Sequence, residues 1–272
     1  MSEPTPAQAL AVRVNRILSN PFAQFAPWIV MSVVEGPQRF ELAAGLAFAT
    51  ALGMGIVGLL VGIRLMLLDV LGIVFFGGLI AAGLVVDQDG LHWLERWSGE
   101  LSNIAVALVA LLTIAVRRPF TLPYAREEAD PEDWDSAVFT RVSYVLAWVW
   151  SAAFVIIAIV GFIGDGPLDQ PDNLWTNWIV QVATLILALT FTEWYPGWAA
   201  ANAEIAAGER TEPPPSVDSL FRPLAAYLVP AGIVVLAVGD SPWWIGGGLI
   251  AAGILITRQL GEDERSARAE PR

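Results

Sequence analysis

The sequence predicts an all-α fold, a polytopic transmembrane helix bundle of seven to eight helices, and three observations carry that expectation. Apolar residues come in runs of membrane-spanning length, and short charged stretches separate the runs. Only 15% of the 272 residues are charged while 56% are hydrophobic, whereas a soluble domain has about a quarter of its residues charged. One oversized soluble core would not divide its apolar residues into such blocks.

The first run, 22–34, is short and contains Pro27, so it reads as re-entrant or strongly kinked. Arg13 and Arg16 precede it as an n-region would, but Pro21 and Pro27 interrupt the apolar stretch and no small-residue cleavage site follows, which argues against a cleavable signal peptide. Runs 42–63 and 65–86 reach the roughly 20 residues that a helix needs to cross the hydrocarbon. In 87–100, acids alternate with Leu91, Trp93, Leu94 and Trp97, a pattern that predicts a short amphipathic helix on the membrane surface ahead of a span at 101–116. Spans follow at 138–163 and 174–192. The connection 193–219, with Pro213, Pro214 and Pro215 and several acids, is the clearest internal boundary. Beyond it, 220–238 and 242–257 are joined by Gly239, Asp240 and Ser241 alone, which predicts an antiparallel helical hairpin.

The organisation read from these runs is an N-terminal tail at 1–20, a six-segment membrane core at 21–192, the proline-rich loop 193–219, a C-terminal transmembrane hairpin at 220–257, and a polar tail at 258–272. The hairpin reads as an accessory module, because the loop before it is long for a compact connection. The opposing reading is that glycine-rich 246–253 packs tightly against the core or against a second copy of the chain, which would make a homo-oligomer.

Basic residues orient the bundle. With eight crossings and both termini in the cytoplasm, thirteen arginines fall inside, and only Arg39 and Arg96 lie outside. If 22–34 does not cross, Arg13 and Arg16 change sides and the other seven helices keep their orientation. Loops 117–137 and 193–219 are then cytoplasmic and 164–173 is external. Trp175, Trp178, Trp243 and Trp244 fit an outer aromatic belt, and Trp194 and Trp198 an inner one. Trp148 and Trp150 lie deep within 138–163, where they must fill space between helices or face lipid.

The formal net charge is −12 and every basic residue is arginine, a balance that excludes nucleic acid as a partner, because phosphate binding needs a basic patch. No cysteine is present, so disulfides, thiolate nucleophiles and Cys-based metal sites are excluded. His92 stands alone and reads as solvated. His-Glu-x-x-His, Gly-x-Ser-x-Gly and phosphate-loop patterns are absent, so the sequence predicts no enzyme, no catalytic residue, no cofactor and no metal site. The acids Glu127, Glu128, Asp130, Glu132, Asp133 and Asp135 read as a solvated loop. Glycines within the spans, among them the Gly58–Gly62 pair, read as helix-packing surfaces.

Asp69 is the most informative polar residue inside a span. In one reading its carboxylate sits a turn or two below the headgroups, paired with an arginine such as Arg64 or wetted by water. In the other it is a proton or substrate site facing the cytoplasm, with Thr190, Thr192 and Glu193 at the same membrane level, as in a small-molecule or lipid transporter. Asn177 and Gln181, four apart on one helix face, can supply interhelical hydrogen bonds.

Two short stretches carry a family resemblance. Arg117-Arg118-Pro119-Phe120-Thr121 follows the fourth segment, and Trp175-Thr176-Asn177-Trp178 opens the sixth, with Trp148 in the helix before. In this order, and with a short opening segment around Pro27, they resemble the intracellular septation protein A (YciB-like) inner-membrane protein family over about residues 22–192. The basic residue that the family places after its Trp-x-Asn-Phe is Ile179 here, and the final hairpin lies outside the pattern. The resemblance implies a non-enzymatic multi-pass membrane protein of bacterial cell-envelope biogenesis, septation and cell division, a scaffold or interaction protein whose partners are the lipid bilayer and the elongation and division machinery. Independently of the family, Arg117 and Arg118 suit the negative end of a helix and can reach anionic headgroups, while Pro119 blocks continuation.

Overall fold

A computed structural model describes residues 25–34, 38–62, 65–170, 173–238 and 241–269, with side chains for all of these except 127, 128 and 261–269. Among the described residues there are nine α-helices and no strand. Six helices are long and apolar enough to cross a membrane, which is the pattern of a multi-pass membrane protein. Arg64 and the N-terminal tail lie outside the described residues.

The chain divides into two compact units, Met1–Pro131 and Glu132–Arg272. In the first, α1 (Ala26–Val34), α2 (Phe40–Leu60), α3 (Leu67–Val85) and α4 (Gln88–Ala115) pack on one another, and the short α5 (Leu122–Glu128) follows. The nine residues of α1 rise only about 13 Å, so they do not cross. The helix is held by burial of Pro27, Trp28 and Met31, with the Trp28 ring 5.3 Å from Phe75 and 4.8 Å from Phe76. In the second unit, α6 (Ala137–Asp165), a π-helical turn at Trp175–Ile179 that continues into α7 (Val180–Ala207), α8 (Asp218–Val238) and α9 (Trp243–Ala269) pack as sequential neighbours.

Several boundaries differ from the sequence reading. Residues 87–100 are not a separate surface helix: α4 runs unbroken from Gln88 to Ala115. Asp87 caps it by accepting the Gly90 amide at 2.9 Å, and Leu94, Ser98 and Ser102, four residues apart, continue one buried stripe across the expected break. His92 therefore sits on a helix, 3.2 Å from Glu95 and exposed. At its far end α7 does not stop at 192 but continues to Ala207, where Gly208 closes it in the left-handed conformation, φ 77°. Ring pairs one turn apart, Phe191 with Tyr195 and Trp194 with Trp198, hold the helix through Pro196. The loop 193–219 thereby shrinks to 208–217. The last helix likewise runs past 257 to Ala269, through residues that include no proline. The hairpin shares a compact unit with α6 and α7, so the division of the chain falls near residue 131 and not in the proline-rich loop.

Glycine roles also sort out. Gly62 is the left-handed residue after α2, φ 86°, and not part of a packing face. Gly72 does pack, since a Cβ there would sit 3.5 Å from Ala51 Cβ. In the hairpin, a Cβ on Gly232 would lie 2.6 Å from the Gly246 carbonyl and 3.0 Å from the Ile250 amide, whereas Gly247 and Gly248 face open space. The glycine-rich stretch thus serves contact between α8 and α9. Gly232→Ala should lower the unfolding free energy by about 1–3 kcal/mol, the usual cost of overpacking against backbone that cannot yield, and Gly247→Ala, a helical position open to a methyl group, should raise it by about 0.5–1 kcal/mol. Thermal melting in detergent reads both.

Candidate functional site

Sequence singled out two motifs, one in each unit, and both occupy unusual backbone. At the end of α4, Val116 is the C-cap and Arg117 takes the left-handed conformation with φ 58°. The Arg118 amide donates to the Thr113 carbonyl at 2.8 Å and the Arg117 amide to the Ile114 carbonyl at 2.9 Å, the paired bonds of a Schellman motif. The Thr113 hydroxyl donates to the Ala110 carbonyl at 2.7 Å and accepts the Phe120 amide at 3.2 Å. Pro119, Phe120, Thr121 and Tyr124 are buried, so the turn is seated by its apolar half, and Arg117 and Arg118 are exposed on its outer side. Glycine is the usual residue at that left-handed position. An arginine there costs on the order of 1 kcal/mol.

The second motif opens α7. Asn173 caps the helix, its side-chain oxygen accepting the Trp175 amide at 2.9 Å and the Thr176 amide at 3.2 Å. The Val180 amide then bonds to the Trp175 carbonyl, five residues back, so 175–179 form a π turn. The extra residue in this turn aims successive groups at different neighbours. Asn177 Nδ2 donates to Asp165 Oδ1 on α6 at 3.1 Å, and Asp165 is buried. Thr176 lies directly against Gly164, where a Cβ would collide with its side chain. Trp175 Nε1 donates to Ser241 Oγ at 3.4 Å, and the Tyr227 hydroxyl of α8 donates to the Ile179 carbonyl at 3.3 Å. Gln181 does not join a neighbouring helix; its amide donates to the Thr176 carbonyl of its own helix at 3.1 Å. A polar junction of this kind, at the end of apolar helices, orders three elements at once.

The remaining candidates belong to neither motif. Asp69 Oδ2 accepts the Met66 amide at 2.9 Å, so the carboxylate caps the first turn of α3, where its charge also complements the helix dipole. Glu193 is exposed on the second unit, Thr190 bonds to the Ile186 carbonyl at 2.7 Å, and Thr192 accepts Trp150 Nε1 at 2.9 Å. Trp150 thus fills space between helices, while Trp148 is exposed. Asp165, Gly164, Tyr227 and Ser241 were not singled out by sequence, because a carboxylate ending an apolar run reads as loop and nothing in spacing links it to residue 177.

No protein-family model, curated protein or solved structure matches the chain.

Removing the Asn177 amide withdraws a hydrogen bond from a buried carboxylate. Asn177→Leu should therefore cost about 1–3 kcal/mol, read by detergent-denaturant unfolding, and Gln181→Leu, which removes a bond within one helix, should cost less than half as much.

Proposed function

We propose that the chain is a non-enzymatic scaffold or interaction protein of cell-envelope biogenesis and septation. It spans the plasma (inner) membrane several times with its C-terminus in the cytoplasm and presents the 116–121 turn to anionic headgroups and to the elongation and division machinery. The observation that carries this reading is the left-handed Arg117, φ 58°. Strain at a non-glycine residue is retained where the surroundings impose it and the side chain has a use. Here the apolar half of the turn is buried and the basic half is exposed, as a rigid mount for a charged contact requires. The arginine asymmetry of the sequence puts this turn on the cytoplasmic side. The resemblance to the intracellular septation protein A family supports the same reading, because its basic-pair and Trp-x-Asn motifs fall on the two built junctions.

A transporter centred on Asp69 is the competing class. The carboxylate is engaged as a helix cap, a role that asparagine fills as well, so Asp69→Asn should preserve function. Arg117→Gly with Arg118→Gln retains the turn and removes the charge: its melting temperature should equal or exceed that of the parent, while cells that depend on it should lose normal septation. Normal division with the double variant would refute the scaffold reading. Substrate flux in proteoliposomes that disappears with Asp69→Asn would establish the transporter instead.

A further inference from the structure

Between α7 and α8 the chain runs without helix or strand from Arg210 to Ser216. Pro213, Pro214 and Pro215 each fix φ near −65° by ring closure and force the residue before them into extended backbone. The segment is thereby committed to a left-handed polyproline helix, which needs no internal hydrogen bond. Both of its ends are fastened. On one side Arg210 bonds to Glu204 at 3.2 Å and the Glu209 amide to the Glu204 carbonyl at 2.9 Å. On the other the Ser216 carbonyl accepts Trp194 Nε1 at 3.0 Å and the Ser219 hydroxyl at 2.6 Å. Pro215 lies along α7, its Cγ 3.9 Å from where a methyl on Gly197 would stand, and Pro213 is exposed. Glu209, Glu212 and Asp218 are exposed around it, which gives the segment an acidic border.

A loop that only joined two helices would not need three successive prolines stretched between fixed ends. Such a stretch has already lost the conformational entropy that a peptide ligand gives up on docking, and polyproline ridges dock into grooves between aromatic side chains. We propose that residues 212–216 are a preorganised polyproline ligand for a soluble partner domain whose groove is lined by aromatic residues and rimmed by basic ones. This deepens the scaffold reading and rests on it for the kind of protein the chain serves, but its contact is separate from the arginine turn.

The test is photo-crosslinking in cells from a photoreactive residue at Thr211, just outside the proline run, in the full-length chain. The expected result is an adduct that peptide mapping places in an aromatic-lined groove of one soluble protein. Its yield should fall at least tenfold with Pro214→Ala and Pro215→Ala together, and likewise with Glu212→Arg, while the melting temperature of each variant stays at the parental value. Adducts only with lipid or with the chain itself, no adduct, or an adduct that survives both variants would overturn the proposal. Because Arg117 and Arg118 are untouched, loss of this adduct with normal septation would separate the two readings.

Discussion

A single inserted residue at the start of α7 governs the second unit. In a π turn the amide reaches back five residues instead of four, and the side chains on either side of the insertion no longer share the spacing of a regular helix. Here that displacement lets Trp175, Thr176, Asn177 and the Ile179 carbonyl meet Ser241, Gly164, Asp165 and Tyr227. In an apolar solvent a polar side chain must find its partner inside the protein, so a turn that offers several groups to several neighbours sets how those neighbours sit. The close approach at Gly164 and the hydrogen bond to buried Asp165 are mutually dependent, since Thr176 and Asn177 are adjacent.

The first unit solves a related problem at the end of a helix. Closing α4 requires a left-handed residue to satisfy its last carbonyls. With arginine in that place, closure of the helix and display of charge become one feature, and Pro119 and Phe120 fix its direction by being buried. Asp69 shows the complementary device at a helix start, where a carboxylate inside an apolar run is satisfied by the backbone of Met66.

Much of this was legible in the sequence, and the reasons are physical. Apolar runs bounded by charge located the spans because hydrocarbon thickness fixes their length. The same criterion misplaced boundaries wherever a helix leaves the membrane: polar residues at 88–100 and the stretch around Pro196 have no apolar signature, yet caps at Asp87 and Gly208 carry α4 and α7 well beyond the spans. Asn177 was identifiable as a source of an interhelical hydrogen bond, but its partner Asp165 was not, because pairing across helices leaves no local pattern. The left-handed conformation of Arg117 was equally hidden, since the sequence signal for that position is glycine. Of the hairpin glycines that the sequence marks as packing residues, Gly246 is one and Gly247 and Gly248 face open space, and only geometry shows that Gly232 is the residue opposite Gly246.

If the π turn organises the second unit, its value lies in the direction it gives to 175–179 and not in its own stability, which is inferior to that of an α-helix. Deleting Ile179 restores regular helical spacing, takes the side chains of 175–178 out of the directions that the π turn gives them, and removes the carbonyl that accepts the Tyr227 hydroxyl. The melting temperature of this deletion in detergent is the decisive measurement. A clear fall below the parent is the expected result, because regular helix geometry would be gained at the expense of the contacts to α6 and the hairpin. A melting temperature equal to or above the parental value would contradict the central role assigned to the turn.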